Sequence, residues 1–507
     1  MRNFSKSKLM ALRQCEKRLW LEVHRPDLRA DSEQAERGFQ IGHQVGEVAR
    51  RVFDPEGKGT LIDIDREGFA AAFARSAELL GQRQPVFEAG FTGGGALAFA
   101  DVMLPDDASD ALSWKMIEVK SSTSVKDYHR DDIAVQSYVA RVAGVALSSV
   151  ALAHIDSSWV YPGQDDYRGL FRVNDLTHEA LARQDEVRSW ITRAGEVVAQ
   201  HAEPEVRVGP HCDSPFECGF YAYCSRDEAK PEFPVQWLPR LSAAQSRALA
   251  EQGIVDLRDV PDEALNDRQL RVKAHTLRNT PFFDAEGAAA DLAPYPLPAQ
   301  FLDFETIQFP VPIWAGTRPY QQITFQFSLH TVTADGRLEH CEFLDLSGDD
   351  PSPRFAADLV RHCGNKPLPI FVYNASFERS RISELAERFE AHREALLAIN
   401  ERIVDLLPVA RERYYHPGQH GSWSIKAVLP AVVPELNYDD LDGVQDGGMA
   451  MEAFLEAVHP DTPEERRRLL REQLLAYCKL DTYAMVRLWQ VFSGRGDLSG
   501  EIEGGSV

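Results

Sequence analysis

Two acidic residues stand two positions apart in the stretch Phe-Leu-Asp303-Phe-Glu305-Thr. Alternation of this kind is typical of a half-buried strand, on which residues i and i+2 project from the same face. Two carboxylates held so close repel each other unless a cation lies between them, and oxygen ligands favour Mg²⁺ or Mn²⁺. The apolar residues before Asp303 argue against the simpler interpretation, two acids on a solvated strand face. The sequence therefore predicts a metal site that other residues must complete.

A second set of candidate residues lies on three apolar segments, 86–91, 96–104 and 113–120, which we expect to form neighbouring strands. Glu118 and Lys120 share a face by the same period of two, and Asp101 lies on the neighbouring strand. Carboxylates in this arrangement can hold a metal that lowers the pKa of bound water, while a lysine orients the attacking group. An exposed Glu–Lys pair of little energetic value is the alternative interpretation.

Residues 36–140 carry these groups in an order that resembles a P-D-(D/E)-x-K nuclease of the RecB-type branch. The resemblance implies a restriction-endonuclease-like domain. It also implies that Asp101 and Glu118 are metal ligands and that Lys120 is a catalytic residue.

Further residues match the same branch. His43 and Glu88 correspond to additional metal-site positions, and Gln136 corresponds to a catalytic glutamine. Tyr138 follows Gln136 by two positions, whereas a spacing of four is common in the family. The resemblance therefore points to Gln136 rather than Tyr138.

Four cysteines form an early and a late group, Cys15 and then Cys212, Cys218 and Cys224. A disulfide framework is not expected in a long cytoplasmic chain. The pattern resembles iron–sulfur nucleases related to the CRISPR-associated adaptation exonuclease. That resemblance implies a [4Fe–4S] cluster that ties the start of the chain to the end of the first domain. Zn²⁺ is the alternative, because four thiolates also suit a tetrahedral zinc site, and three unrelated buried thiols are the simplest interpretation of the late group.

The last third of the chain supplies partners for Asp303 and Glu305. A strand predicted at 369–374 leads to Glu378, and a strong helix predicted at 474–489 carries Tyr477 and Asp481 on one face, at i and i+4. We also expect strands at 321–330 and 338–344 and a helix at 352–363.

This set resembles the DEDD exonucleases of the RNase H-like fold. Asp303 and Glu305 match the first motif, Val372 to Arg379 the second, and Tyr477-x-x-x-Asp481 the third in its tyrosine form. The resemblance implies two metal ions held by four acids, an attacking water oriented by Tyr477, and degradation from the 3′ end. The second motif usually carries Asp, and the extra methylene of Glu378 moves the carboxylate outward by about 1.5 Å.

Two more residues near these motifs are candidates for supporting roles. Asp405 resembles a further acid that is common after the second motif. Lys426, in Gly421-Ser-Trp-Ser-Ile-Lys426, is a candidate phosphate contact in the substrate groove.

The length of 507 residues predicts several cores and an α/β multidomain chain. We expect a P-D-(D/E)-x-K nuclease domain with the four-cysteine cluster at 1–230 and a helical linker, faintly similar to a helix-hairpin-helix, at 231–298. An RNase H-like exonuclease domain is expected at 299–493, and a disordered Gly/Ser-rich acidic tail at 494–507.

Composition limits the classes of protein that remain. The net charge of −23 argues against a general nucleic-acid coat, although the first 26 residues carry seven Lys or Arg against two Glu. No apolar run approaches the roughly 18–20 residues that span a bilayer. The sequence predicts a cytoplasmic location and no membrane partner.

These features together predict a DNA nuclease with two active sites, both using Mg²⁺ or Mn²⁺, in repair or in defence against foreign DNA. The expected partner is DNA that is single-stranded or has a free end. One alternative is an RNA exonuclease. A second alternative is a nucleic-acid-binding scaffold in which one or both sites are inactive.

Overall fold

The computed structural model describes residues 3–106, 108, 111–227, 230–364 and 367–495. The chain divides into two compact units, Met1–Glu228 with Phe309–Gln321, and Ala229–Gln308 with Gln322–Val507. This division differs from the predicted one in two respects. The helical segment 231–298 belongs to the second unit, and the insertion 309–321 belongs to the first. Of the tail predicted to be disordered, residues 496–507 lie outside the described residues.

The first unit is built on a mixed sheet. Its strands in the described residues are β1 (Phe4–Ser5), β2 (Thr60–Leu61), β3 (Val86–Gly93), β4 (Ala96–Pro105), β5 (Trp114–Lys120), β6 (Leu147–Ile155) and β7 (Phe171–Asp175). They lie in the order β2-β3-β4-β5-β6-β7, and β1 pairs with β4. The pairs β3–β4 and β4–β5 are antiparallel and β5–β6 is parallel. The three strands predicted between residues 86 and 120 are therefore confirmed as neighbours.

Helices cover both faces of this sheet. They are α1 (Lys6–Gln14), α2 (Glu16–His24), α3 (Glu33–Phe53), α4 (Ile64–Glu67), α5 (Phe69–Leu79), α6 (Asp127–Val142), α7 (Thr177–Ala182), α8 (Gln184–Val198) and α9 (Tyr221–Cys224). On β5, Met116 packs with residues of α6, whereas Ile117 lies on the face where Phe53 of α3 packs. Glu118 is two residues beyond Met116, so its side chain projects towards α6.

The second unit contains a separate five-stranded sheet. The described strands of the unit, five in this sheet and two in a small second sheet, are β8 (Phe282–Phe283), β9 (Ala299–Ile307), β10 (Ile323–Val332), β11 (Leu338–Leu344), β12 (Ile370–Val372), β13 (Ile403–Asp405) and β14 (Tyr414–Tyr415). The sheet order is β11-β10-β9-β12-β13, and β8 pairs with β14. The first three strands are antiparallel, and β12 runs parallel to both β9 and β13.

Helices again pack on both faces. They are α10 (Ala243–Glu251), α11 (Asp267–Arg278), α12 (Ala285–Leu292), α13 (Ser352–Cys363), α14 (Ser376–Arg388), α15 (Arg393–Glu401), α16 (Leu407–Arg413), α17 (Ile425–Val432), α18 (Gly447–Val458) and α19 (Glu464–Ser493). Phe301 of β9 packs against Trp489 of α19, and Phe304 packs against Phe355 of α13. Asp303 and Glu305 lie two and four positions after Phe301 on the same strand, so their side chains project from the same face and towards α19. In the described residues, no helix has both the length and the apolar composition needed to cross a bilayer.

Segment 231–298 is an integral part of the second unit. Strand β8 pairs with β14, and the hydroxyls of Thr276 and Tyr415 are 2.6 Å apart. After the turn at Gly253 the chain forms short 3-10 turns, and α11 begins only at Asp267. The second helix of a helix-hairpin-helix therefore does not follow the glycine turn.

A glycine substitution tests how tightly this segment is packed. A Cβ at Gly421, where φ is 75°, would lie 1.7 Å from the Trp237 carbonyl oxygen, whereas a Cβ at Gly253, where φ is 69°, would meet open space. We expect Gly253→Ala to cost about 1 kcal/mol of backbone strain. Gly421→Ala should cost about 1–3 kcal/mol more because of overpacking. Urea titrations of both variants measure the difference, and equal losses would contradict the close packing.

Candidate active sites

The carboxylates of Asp303 and Glu305 meet the thiol of Cys478 on the α19 side of β9. One potential ligand atom from each residue lies within 4.8 Å of the others, and across the described residues this is the one group of three Asp, Glu, His or Cys side chains so close. The Cys478 sulfur is 3.8 Å from Asp303 Oδ2. Cys478, which belongs to none of the motifs, therefore borders the predicted metal site. Its i, i+3 spacing from Asp481 is the signal that could have placed it there.

Asp481 joins this cluster from α19. Tyr438 donates a hydrogen bond to Asp481 Oδ1 over 2.5 Å, and Tyr477 also hydrogen-bonds to Asp481. Burial raises the pKa of Asp481 to about 6, although both hydroxyls oppose that shift. Burial first, and the Asp481 charge next, raise the pKa values of Asp303 and Glu305 well above their usual range. The three acids therefore share one electrostatic environment.

Glu378 is the fourth acid of the set. It lies in the first turn of α14, is 2% exposed, and its Oε2 has no hydrogen-bond partner in the described structure. Burial raises the pKa of Glu378 to about 8, and its charge contributes to the raised pKa of Asp303. Glu378 therefore lies within electrostatic reach of Asp303.

Asp405 fixes the turn from which α14 begins. Its carboxylate accepts hydrogen bonds from the backbone N–H groups of Asn374, Ala375 and Leu407 over 2.9–3.1 Å. Asn374 is in the left-handed region with φ of 79°. The supporting role expected for Asp405 is therefore to hold the chain that presents Glu378.

Lys426 is the cation that faces these acids. Its ammonium donates a hydrogen bond to the Gln445 carbonyl over 2.7 Å and lies 5.2 Å from the ring centre of Tyr477. Its charge opposes the rise in the pKa values of Glu305 and Asp481. Tyr438, whose ring is 5.4 Å from the same ammonium, was missed because it lies in an irregular stretch without a motif.

In the first unit, Glu118 is surrounded by lysines. Lys120 Nζ donates to Glu118 Oε1 and to Asp132 Oδ2 over 2.6 Å each, and Lys6 Nζ contacts the same two carboxylates at 2.9 and 3.1 Å. Burial opposes ionisation of Glu118, but Lys120 and Lys6 together hold its pKa below the ordinary value. Burial also disfavours the charged form of Lys120, yet Asp132 and Glu118 keep its pKa well above the usual range.

Asp101 and Glu88 stand beside this network. Asp101 Oδ2 accepts a hydrogen bond from the Val119 N–H over 2.7 Å. Burial, followed by the charges of Glu118 and Glu88, raises the pKa of Asp101 well above its usual range. Burial and Glu118 likewise raise the pKa of Glu88, a non-glycine residue with φ of 54°. Three of the predicted ligands therefore lie within electrostatic reach of one another.

The remaining predicted residues of this site differ in placement. Gln136 donates hydrogen bonds to Glu118 Oε2 and to the Phe99 carbonyl, so it belongs to the network. The Tyr138 hydroxyl instead packs over the turn at Gly94. His43 is exposed on α3, and no described hydrogen bond or ion pair joins it to the carboxylates.

Lys6 and Asp132 are the members of this network that motif comparison missed. Asp132 is 7% exposed and lies one helical turn before Gln136, which is the spacing signal that could have found it. Lys6 opens α1 directly after β1, which pairs with β4. Only its place in the basic N-terminal stretch hinted at such a role.

The four cysteines predicted to hold a cofactor line one cavity. Cys15 lies between α1 and α2, Cys212 ends a 3-10 turn, and Cys224 ends α9. None of them forms a disulfide. Burial raises the pKa of Cys218, and it raises the pKa of Cys224 to about 11, with contributions from the other thiols of the group.

The raised pKa values of the acids should make the stability of the metal-free protein depend on pH. Between the ordinary pKa of Glu378, 4.5, and its folded value of about 8, the folded state retains a proton that the unfolded chain has released. The free energy of unfolding should therefore fall as the pH rises from about 5 to 8, and Asp481, with a pKa of about 6, adds to the fall. Urea unfolding in EDTA across this pH range measures the fall in the free energy of unfolding. Replacing EDTA with Mn²⁺ should reduce that fall.

Two variants separate this effect from general pH sensitivity. Glu378→Gln should flatten the decline, because its amide does not titrate. Glu387→Gln changes an exposed residue on the same helix and should leave the wild-type slope. Identical slopes in the three proteins would show that Glu378 is not the titrating group.

Comparison with known proteins identifies one region. Residues 300–424 match a family model described as Domain of unknown function (DUF2779). No curated protein matches the chain. The matched segment includes Asp303, Glu305, Glu378 and Asp405, and it ends before Lys426, Tyr477 and Asp481.

Proposed function

We propose that the chain is a metal-dependent DNA nuclease with an active site in each unit, acting in DNA repair or in defence against foreign DNA. The observation that carries the proposal is the convergence of Asp303, Glu305, Glu378 and Asp481, which are up to 178 positions apart in the chain. Four acids with raised pKa values, three of them buried and Asp303 half-buried, are costly without a cation, and such clusters are typical of functional sites.

The architecture of the second unit agrees with an RNase H-like exonuclease. Three antiparallel strands are followed by two strands parallel to the first, with helices on both faces. The first motif lies on the central strand β9, the second at the start of α14, and the third on α19. This arrangement supports a 3′-5′ exonuclease site in which Tyr477 orients the attacking water.

The donor set of the second site fits Mg²⁺ or Mn²⁺. It consists of carboxylate oxygens, including the buried Glu378 Oε2 that lacks a partner, and such oxygens are the ligands these ions prefer. Bound cations would supply positive charge to the phosphodiester and lower the pKa of the attacking water. Lys426 lies beside the same acids and is proposed to contact a substrate phosphate.

In the first unit, Asp101, Glu118 and Glu88 are the proposed metal ligands. Lys120 is the proposed catalytic lysine, held in its charged form by Asp132 and Glu118. Gln136 fixes the Glu118 carboxylate through a hydrogen bond to its second oxygen. The network therefore keeps one acid ionised and one lysine protonated beside it, which suits an electrostatic role at a phosphate.

The cysteine cavity is proposed to hold a [4Fe–4S] cluster. A tetrahedral zinc site with Zn–S distances of about 2.3 Å brings sulfurs to about 3.8 Å from one another. No three of these four thiols lie within 4.8 Å of each other. A zinc ion would therefore require the thiols to move closer together. The proposed cluster would be structural, because it joins the start of the chain to residues 212–224.

Separate substitutions test the two nuclease sites. We expect Asp303→Ala to lower Mn²⁺-dependent 3′-5′ degradation of end-labelled single-stranded DNA by about 10²-fold or more, because it removes a proposed ligand of the metal ion. Lys120→Ala should lower the remaining cleavage by a similar factor. Gel analysis of time courses on single-stranded DNA and on RNA of the same sequence provides the measurement.

Matched controls make the result specific. Glu339 on β11 and Lys115 on β5 are exposed residues on the same sheets, so Glu339→Ala and Lys115→Ala should retain wild-type rates. Cleavage of RNA alone would establish the RNA exonuclease instead. No metal-dependent cleavage of either polymer by the unmutated protein would favour a binding scaffold.

The proposed [4Fe–4S] cluster can be tested separately from the nuclease sites. Protein purified without oxygen should be brown, with broad visible absorption and about four iron atoms per chain for a [4Fe–4S] cluster. Cys212→Ser should lose the colour and lower the unfolding temperature of the first unit, while Cys363→Ser, which changes a buried thiol of the second unit, should keep the colour. A colourless protein containing one zinc ion would overturn the iron assignment.

A further inference from the structure

A basic cavity lies in the second unit beside the proposed exonuclease site. Its volume is about 410 Å³, within the range of small-ligand sites. Three arginines line it, Arg240 from the chain before α10, Arg268 from α11 and Arg411 from α16. Three cations from separate segments converge on one cavity, which is an arrangement suited to an anion.

The charges in this cavity are poorly compensated. Arg268 pairs with Glu412, but Arg240 and Arg411 make no ion pair with any described residue. Burial and then the charges of Arg240 and Arg268 lower the pKa of Arg411, and Tyr373 and Asp405 oppose only part of that shift. The arginines therefore repel one another, and a bound anion would relieve that repulsion.

A helix end adds to the positive potential. Ser424 and Ile425 line the cavity, and they are the N-cap and first residue of α17. The Ser424 side chain makes no cap hydrogen bond. The positive end of a helix dipole and the N–H groups of a first turn favour phosphate.

The cavity has a rigid aromatic wall. The Tyr373 hydroxyl donates to the Trp423 carbonyl, and Trp423 Nε1 donates to the Tyr414 carbonyl, each over 2.8 Å. A fixed wall holds the arginine cavity open in one shape, which reduces the entropy lost on binding.

Chain continuity links the cavity to the acids. Asn374, which lines it, is four residues before Glu378, and Ser424 is two residues before Lys426. Resting on the proposed exonuclease function, we propose that Arg240, Arg268 and Arg411 bind a backbone phosphate of the strand whose end lies at the four acids. Guanidinium groups suit this role because they donate paired hydrogen bonds to phosphate oxygens.

The test measures strand binding without cleavage. Fluorescence anisotropy of a 5′-labelled single-stranded oligonucleotide, with Ca²⁺ replacing Mg²⁺, gives Kd over a range of salt concentrations. Arg240→Gln with Arg411→Gln should weaken binding about tenfold or more. The slope of log K against log salt should shrink by about 0.7, as expected for one lost phosphate contact to a single strand.

The control has the same change in net charge. Arg361→Gln with Arg468→Gln alters two arginines of the second unit that are 66% and 69% exposed, and it should keep the wild-type Kd and slope. Arg240→Gln alone changes an exposed side chain and should shift Kd in the same direction by less. This single variant keeps the test valid if the double variant does not fold.

Each outcome bears on the proposal. Wild-type Kd and salt slope in the arginine double variant would overturn it, whatever the cleavage assays show. Loss of strand binding in a protein that cleaves nothing would support the cavity while the nuclease function fails. Binding of thymidine 5′-monophosphate to the same variant is measured by calorimetry. If the double variant loses this binding and still binds the strand as the wild type does, the cavity is a site for a free monophosphate, and the strand assignment is overturned.

Discussion

Repulsion among buried carboxylates is the constraint on which the second unit depends. Asp303, Glu305, Glu378 and Asp481 are held together by a central strand and two helices, so they cannot separate without disrupting the sheet. Burial raises the pKa values of all four acids, and the charge of Asp481 adds to the rise at Asp303 and Glu305. Lys426 and two tyrosine hydroxyls offset only part of that cost. The cluster therefore destabilises the metal-free protein, and binding of a divalent cation would offset that cost.

The first unit meets the same problem differently. Glu118 and Asp132 share two lysines, which hold Glu118 ionised, while Asp101 and Glu88 remain with raised pKa values at its side. A buried ion pair is costly unless its hydrogen bonds are complete, and Gln136 supplies the bond to the second oxygen of Glu118. The two sites therefore differ in charge balance: Lys6 and Lys120 accompany the four acids of the first site, whereas Lys426 is the lysine that lies near the four acids of the second. This difference suits a stronger dependence on cations in the second unit.

Local periodicity was sufficient to predict the strands and helices that carry the motifs. Alternation along β9 placed Asp303 and Glu305 on one face, and i, i+4 spacing paired Tyr477 with Asp481, because these relations depend on a few neighbouring residues. Lys6, Tyr438 and the arginine cavity could not be predicted, because their partners are 28 to 171 positions away and no periodic pattern records such contacts. The division of the chain into two units could not be predicted from local patterns either. The insertion 309–321 interrupts two paired strands, and its contacts, such as Tyr320 with the Ser121 carbonyl, are long-range.

Glu378 stands where the second motif of the DEDD exonucleases usually carries Asp. Its position in the fold determines where the longer side chain places its carboxylate. The residue lies in the first turn of α14, and Asp405 holds the preceding turn by accepting hydrogen bonds from the N–H groups of Asn374 and Ala375. With the backbone fixed, the side chain alone determines where the carboxylate lies. The longer side chain still brings its charge close enough to raise the pKa of Asp303, and it leaves Oε2 without a partner. A buried oxygen in that state is costly in the metal-free protein and is available to a cation. The extra methylene therefore changes the position of one ligand and keeps the number of acids at four.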